Sequence, residues 1–455
     1  MVDILNSNAS ILRSDRPSCH KLPLKRGILL INPSMPKNEL FFEVEVLPPL
    51  GLCYLAAILE QNDIQTDIHD DYLLRWGNDK VVELAQNYEI IGITGLTATS
   101  LVAIELARKL KDKFLICGGA HATLFPEQML EYFNTVVKGE GENVIVDIVK
   151  NKRIGIIEGI KTENLDTLPF PARHKLPLEK YPLKNEFLKA NRIFSMNTSR
   201  GCPYKCSFCS VKTIWGRSYR SFSPIRVAAE ILILVTDYKA NGIYFREDNF
   251  TFDRNRVIEI CKLIEELKLE WVCESRVEHL DEELIKIMYN AGCRAIWFGT
   301  ESGSNRMLKI LHKGVDKERA IETFKLCRKY GIKTGASFMV GLPEETREEI
   351  YDTLNFAHKL DSYWTWFNYY LGIPGSDLYD KVIKEKLYDK LDERKYAWVK
   401  VNGISSDEMI KFHRWIKFLY LIKKPIRLWR VLIKLSPRTW IIALLKMVNI
   451  YKVRL

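Results

Sequence analysis

Long apolar runs are missing from this 455-residue chain. No uninterrupted stretch approaches the ~18 residues of a membrane span, which excludes a polytopic membrane protein. An apolar signal region is also missing: the N-terminus carries Asp3 and Asp15 instead, so no secretory leader is expected. Cysteine is sparse, at 10 residues, which excludes a disulfide scaffold. No internal repeat is evident. Acidic residues are absent from 409 to 455, a stretch that holds twelve Lys and Arg. Removing those twelve from the total of 68 leaves 56 basic against 57 acidic residues elsewhere, so the net charge of +11 belongs to the tail. What remains is ordinary for a folded protein, 47% hydrophobic and 27% charged, which excludes a disordered or collagen-like chain. The length suggests about two to four domains.

Short apolar runs alternate with helical periods from Gly27 onward. Gly27–Pro33, Gln65–Asp70, Ile90–Thr94, Phe114–Gly119 and Thr135–Gly139 read as strands. Pro49–Glu60 and residues 99–111 read as helices, the first with Leu52, Leu55, Ala56 and Leu59 on one face. Strands and helices at this spacing indicate a parallel α/β sheet, which binds ligands at the carboxyl ends of its strands. A Pro- and charge-rich stretch over 151–190 reads as a linker. A second α/β series then begins, with strands expected at Ile193–Ser199, Gly242–Glu247, Trp271–Arg276, Ala295–Glu301, Thr334–Gly341 and Trp366–Leu371. Six βα units are too few for an eight-fold barrel and enough for an open, partial (β/α)6 barrel. The expected order is a polar tail over 1–26, a Rossmann-like domain over 27–150, the linker, the barrel over 191–400 and a basic helical region over 401–455.

Seven cysteines (Cys19, Cys53, Cys117, Cys261, Cys273, Cys293, Cys327) are scattered singly and read as reduced thiols used as small hydrophobes in a cytosolic protein. The other three lie together in Arg200-Gly201-Cys202-Pro203-Tyr204-Lys205-Cys206-Ser207-Phe208-Cys209, a C-x3-C-x2-C pattern just after the first barrel strand. Thiolates this close converge on something compact and thiophilic. A zinc site wants a fourth ligand, commonly from a second C-x2-C or H-x3-H pair, and none is present. A [4Fe-4S] cube held by three cysteines leaves one iron open to chelate an amino and a carboxylate group. The cluster is the favoured reading and zinc its alternative.

This segment resembles the motif of the radical S-adenosylmethionine (SAM) superfamily, and residues 190–375 resemble that family's barrel throughout. The resemblance implies that Cys202, Cys206 and Cys209 hold the cluster and that Phe208 lies beside the adenine of SAM. It implies that one electron passes to the sulfonium, that the C5′–S bond breaks, and that a 5′-deoxyadenosyl radical removes hydrogen from the substrate. An electron donor such as flavodoxin or ferredoxin is implied with it. At later strand ends, Glu247 or Asp248 would contact the methionine amino group, where related sequences commonly show Asp-Asp. Arg276 would neutralise the SAM carboxylate and Glu301 would accept from the ribose hydroxyls. Gly341-Leu342-Pro343-Glu344 resembles the adenine-flanking motif, with Ser337 in place of its first glycine. Acids at strand ends of such a barrel point into its mouth.

Residues 27–150 resemble the cobalamin-binding domain that precedes the barrel in one large class of this superfamily. The matching pieces are Pro48–Ala56, Thr94-Gly95-Leu96-Thr97, Gly118-Gly119-Ala120-His121-Ala122-Thr123 and Gly139-Glu140-Gly141-Glu142. The resemblance implies that Thr94, Thr97, Gly118, Gly119, His121 and Gly139 line a cobalamin site; a structural role for His121 stands beside this. Glycine after a strand lets a backbone approach a flat ligand closely. Methyl-transferring cobalamin domains of the familiar type supply an axial histidine after the first strand. Here that position reads Asn32-Pro33-Ser34-Met35-Pro36, without histidine, which favours homolytic loss of a methyl group. Asp67-Ile68-His69 only superficially resembles the missing motif, and His69 is expected at the surface.

The tail places Lys or Arg at 411, 414, 417, 424, 427, 430 and 434, with Trp415, Phe418, Leu419, Leu428 and Trp429 between them. Such amphipathic patterns lie in anionic membrane surfaces. The alternative is a helix pair packed on the barrel with a basic outer face. Nucleic acid is disfavoured, since no aromatic RNA-reading motif accompanies the charge. The expected protein is thus cytoplasmic, with peripheral contact at the inner face of the membrane through residues 409–455. The implied activity is cobalamin-dependent methylation of an unactivated carbon in a lipid-like, isoprenoid or secondary-metabolite substrate. Radical C–C bond formation, cyclisation or rearrangement without methyl transfer is the second reading. A non-catalytic cluster or cobalamin sensor is the third.

Overall fold

The computed structural model describes residues 27–36 and 45–423. Six parallel strands, β1 (Ile28–Asn32), β2 (Thr66–Asp70), β3 (Ile90–Thr94), β4 (Phe114–Gly118), β5 (Thr135–Lys138) and β6 (Gly155–Glu158), form one sheet in the order β2-β1-β3-β4-β5-β6. Their runs are apolar on both faces because helices cover both. Leu29, Ile31, Ile91, Ile93 and Cys117 bury one face with Val102, Ala103 and Leu106 of the helix Ser100–Lys109. Ile28, Leu30, Ile90 and Ile116 bury the other with Leu52, Ala56 and Leu59 of the helix Leu50–Gln61.

Two readings of this region are corrected. The expected linker starts too early: Gly155–Glu158 is β6, pairing with β5 over four positions. It is a short edge strand flanked by Lys and Arg, and its apolar content is two isoleucines, too little to register as a period. His69 is not a surface residue. It is 4% exposed, its ring lies 4.7 Å from that of Trp76, and its Nε2 stands 3.5 Å from Asp71 Oδ1. β2 is an edge strand, but the short turn Asp71–Leu74 folds Trp76 back over it.

The described chain packs as two compact units. The first holds the chain to Pro203 together with Ser210–Glu274 and Lys286–Arg294; the second holds Tyr204–Cys209, Ser275–Ile285 and the chain from Ala295 onward. In the first unit β7 (Ile193–Met196), β10 (Gly242–Phe245) and β11 (Glu270–Ser275) are parallel neighbours, with the two-residue strands β8 (Ser199–Arg200) and β9 (Arg220–Ser221) between them in sequence. Fully buried Trp271 anchors these strands, edge-on to Phe245, with its indole N–H donating to the Ala291 carbonyl at 2.8 Å. Three of the six strands expected of the partial barrel are here.

The other three, β12 (Cys293–Glu301), β13 (Lys333–Val340) and β14 (Trp364–Tyr369), are parallel neighbours in the second unit. Phe338 and Phe367 stack behind them, 5.4 Å apart. An unanticipated three-stranded antiparallel sheet follows, from Leu371–Gly372, Tyr388–Leu391 and Ala397–Val399. The helix Ser406–Ile422 opens on a capping box of Ser405 and Glu408. It buries Met409, Phe412, His413, Ile416 and Tyr420 in this unit, where His413 Nε2 meets the Phe367 carbonyl at 2.6 Å and Tyr420 meets Thr365 at 2.7 Å. Residues 409–422 therefore follow the packed-helix alternative, with Lys411, Arg414 and Lys417 exposed outside. The rest of the basic pattern, 424–455, lies outside the described residues. No helix among the described residues is long and apolar enough to cross a membrane.

Candidate functional site

A cavity of about 730 Å³ opens in the first unit, within the size range of sites for organic cofactors. One wall is the carboxyl edge of the six-stranded sheet, with Thr94, Gly118, Gly119 and Gly139 among its residues. A Cβ added at Gly139 would approach nothing nearer than the Gly159 carbonyl at 4.0 Å, and one at Gly51 would meet nothing within 4 Å. These glycines leave a smooth open wall that side chains would fill. Gly119 and Gly139 also serve turns, with φ of +99° and +95°, and a Cβ at Gly119 would press on Thr94 Oγ1 at 2.9 Å. Thr97 and His121 are not among the lining residues. His121 is fully buried beside Phe125, its backbone N–H donating to the Gly95 carbonyl at 2.8 Å.

Asn32 also lines the cavity, and its amide donates to Asp70 at 2.8 Å while Tyr181 donates to the other Asp70 oxygen at 2.5 Å. The end of β1 thus presents a fixed carboxamide to the cavity. Glycine cradle, volume and absence of a histidine among the lining residues together fit a corrin bound without a protein imidazole.

The cavity is also lined by Arg246, Glu247, Asp248 and Glu274, from the ends of β10 and β11. Glu247 is buried and accepts from Thr198 Oγ1 at 2.6 Å and from Ser199 Oγ. Asp248 opens into the cavity. Enclosure by the walls, then the neighbouring Glu274 and Glu247 carboxylates, push its pKa up to about 6. Burial also raises Glu274, although Tyr244 donates to it at 2.8 Å. Sequence reasoning passed over Glu274, because no motif surrounds it near the end of Glu270–Ser275.

At the rim, Glu140 and Glu142 meet Arg200 and Arg220. Burial alone would raise Glu140, but the Arg220 and Arg200 guanidiniums outweigh it and hold that carboxyl below its ordinary range.

The second unit gathers the other half of the expected residues. Arg276 lies 4.0 Å over the Tyr204 ring, donates to the Lys313 carbonyl, and brings Nη1 to 3.7 Å from Cys206 Sγ. A cation so placed offers the sulfur a charged hydrogen bond. Glu301 pairs with Lys313 at 3.1 Å, and Lys313 lies 6.0 Å over the Phe208 ring. A register shift between Gly299 and Glu301, with φ of +62° at Glu301, swings that carboxylate off the regular strand. Lys313 had no sequence signal: the helix Asn305–Ile310 returns it to the strand end. Gly341 adopts φ of +85°. Glu344 is exposed, paired with Lys381, and is not brought to this group. Its neighbour Glu345 is the buried acid, accepting the Gly341 and Leu342 N–H groups through one oxygen at 2.8 and 3.1 Å.

Cys202, Cys206 and Cys209 are partly exposed, whereas the six other described cysteines are buried. Among the described residues no three His, Cys, Asp or Glu side chains are already gathered around a metal-ion position. Three thiols in C-x3-C-x2-C spacing are a donor set of the soft type that an iron–sulfur cluster takes.

Comparison with known proteins gives two family models that match: "Radical SAM superfamily" over residues 196–357 and "B12 binding domain" over 44–149. The chain is 31% identical over 404 residues to an uncharacterized methyltransferase of Pyrococcus horikoshii, covering 81% of this chain and 86% of that one. It is 28% identical to the anaerobic magnesium-protoporphyrin IX monomethyl ester cyclase of Rubrivivax gelatinosus, covering 77% and 69%. The solved radical SAM methyltransferase TsrM of Kitasatospora setae, with cobalamin and a [4Fe-4S] cluster bound, superposes with a TM-score of 0.65 at 18% identity, covering 81% and 76%.

Burial raises the Glu345 carboxyl to about 8 despite its two N–H donors, so it is neutral at pH 7. Being raised in the fold, it contributes stability that is full below pH 4.5 and is lost as pH rises through 8. Glu345→Gln copies the neutral acid and keeps an oxygen for both donors. In denaturant unfolding the variant should match the parent near pH 5 and exceed it near pH 8, by on the order of 3 kcal/mol. Parallel stability curves across that range would refute the assignment.

Proposed function

Because the chain belongs to the radical SAM superfamily and to its class with a B12-binding domain, we propose that it is a cobalamin-dependent radical SAM methyltransferase acting on an unactivated carbon. The observation that carries this is the first unit's cavity, which the glycine wall of one sheet lines together with Glu247 and Asp248 at the end of a barrel strand. Cys202, Cys206 and Cys209 would hold a [4Fe-4S] cluster. Phe208, Glu247 or Asp248, Arg276, Glu301 and Gly341 would hold SAM, and Thr94, Gly118, Gly119 and Gly139 the corrin, with Thr97 and His121 shaping the loops behind. Glu344, exposed and paired with Lys381, is supported less well than Glu345 as the acid that fixes its turn. When bound, the cluster supplies the electron that cleaves SAM and the corrinoid supplies a methyl group.

The chain's own residues do the orienting. Thr198 and Ser199 hold Glu247 toward one side and leave Asp248 open to the cavity, so Asp248 is the better partner for an ammonium group. Arg276 serves the Cys206 sulfur and carries charge for a carboxylate. The likeness to an anaerobic cyclase supports radical C–C bond formation as the second reading. Product analysis separates the two. Anaerobically reconstituted protein with SAM, reductant and substrate should yield S-adenosylhomocysteine together with 5′-deoxyadenosine. 5′-Deoxyadenosine alone would favour cyclisation, and neither product in any condition would favour a cluster or cobalamin sensor.

The lipid-like substrate rests on the basic, tryptophan-bearing stretch, of which 424–455 would be the membrane-seeking part. The full chain should pellet with anionic vesicles more than a chain ending at residue 423. Equal partitioning would remove the membrane reading and leave the packed helix alone.

A further inference from the structure

The loop that carries the three cysteines starts and ends at one carboxylate. β8 and β9 pair antiparallel with Arg200 opposite Arg220, closing residues 201–219 into a loop. Both guanidiniums turn to Glu140. Arg200 Nη1 donates to Glu140 Oε2 at 2.7 Å, Arg220 Nη1 donates to the same oxygen at 3.1 Å, and Arg220 Nη2 donates to Oε1. The second Arg200 nitrogen donates to Glu142 at 2.6 Å. All four side chains are at most 8% exposed. The neck is tight as well as charged: Gly201 has φ of +82°, and a Cβ there would collide with the Ser218 carbonyl oxygen.

Glu140 and Glu142 follow β5, and with Gly139, Gly141 and Arg200 they line the cavity. One set of groups therefore forms both the cavity rim and the neck of the cysteine loop. Cys202 is two residues beyond Arg200. Removing one member leaves a buried charge uncompensated, which drives such a network to open.

We propose that Glu140 is a positioning residue that buckles both ends of the cysteine loop, and that a corrinoid in the cavity tightens this buckle and retards loss of iron from the cluster. The second half rests on the functional reading above. A ligand that binds the closed neck and not the open one stabilises the closed state by linkage.

Two measurements test it. In the full chain without cofactors, trypsin reaches Lys205 and Arg217, both exposed in the loop. Cleavage there should be about tenfold faster in Glu140→Gln than in the parent, as expected for loss of charged hydrogen bonds. Glu142→Gln, which leaves both arginines on Glu140 but strips one charged partner from Arg200, should fall between the parent and Glu140→Gln. In the reconstituted full chain, hydroxocobalamin should slow iron release to a ferrous chelator in the parent and have little effect in Glu140→Gln. Glu140→Asp, which keeps the charge and shortens the reach, carries both tests if Glu140→Gln does not fold, and should fall between the parent and an open neck. Parent-like cleavage in both Glu140 variants would overturn the buckle. Undiminished corrinoid protection in them would overturn its coupling to the cavity. If the parent itself takes up neither iron nor corrinoid, the functional reading fails and the coupling with it, while the tryptic comparison still decides the buckle.

Discussion

A carboxylate taken out of water must be met by donors or surrender its charge, and the first unit is organised around that requirement. Glu140 is met by two arginines and by the backbone N–H of Thr162. Glu230 is met by Arg173 at 2.7 Å, both nearly fully buried. Arg256, also buried, spends its guanidinium on the carbonyls of Thr198 and Phe222. Glu140 follows β5, Glu230 lies on the helix Pro224–Thr236 and Arg256 on the helix Arg254–Ile264, each tied to a distant part of the chain. They fix backbone that apolar packing alone would leave free to slide, and the cavity wall inherits that rigidity.

The chemistry collects at the carboxyl ends of strands because the strand interiors are closed to it. Both faces of the six-stranded sheet are filled by aliphatic side chains, so its glycines and Thr94 are useful only at the edge, where the chain leaves the sheet. The ends of β10 and β11 deliver carboxyl groups into an enclosed place, and enclosure first, then the neighbouring Glu274 and Glu247, push the Asp248 carboxyl up to about 6. In the second unit the same logic uses a bulge: the register shift before Glu301 turns a strand residue into one that can reach Lys313.

Much of this was legible in the sequence, and the parts that were not have physical reasons. Eleven of the twelve parallel strands carried enough β-branched or aromatic residues in a row to be placed, and the cysteine loop announced itself by spacing. β6 escaped because four residues at a sheet edge need little apolar content. His69 was misplaced because alternation cannot see Trp76 returning across an edge strand. The turn after β13 was located, but not which of Glu344 and Glu345 points inward; a positive φ at Glu344 decides that, and no residue type signals it. Glu274 and Lys313 had no local pattern, since each gains its meaning from contacts made far along the chain. The helix Ser406–Ile422 shows the limit of charge periodicity: basic residues every third or fourth position describe a packed helix as well as a membrane-bound one.

The central claim is that Cys202, Cys206 and Cys209 hold a [4Fe-4S] cluster with one iron left for SAM. Mössbauer spectra of oxygen-protected protein carrying iron-57 test it most directly. The account predicts a cuboidal cluster in which a single iron changes its spectrum when SAM is added, and its loss when any of the three cysteines is replaced by alanine. A protein that holds no iron, or a cluster whose four irons remain indistinguishable with SAM present, would contradict it.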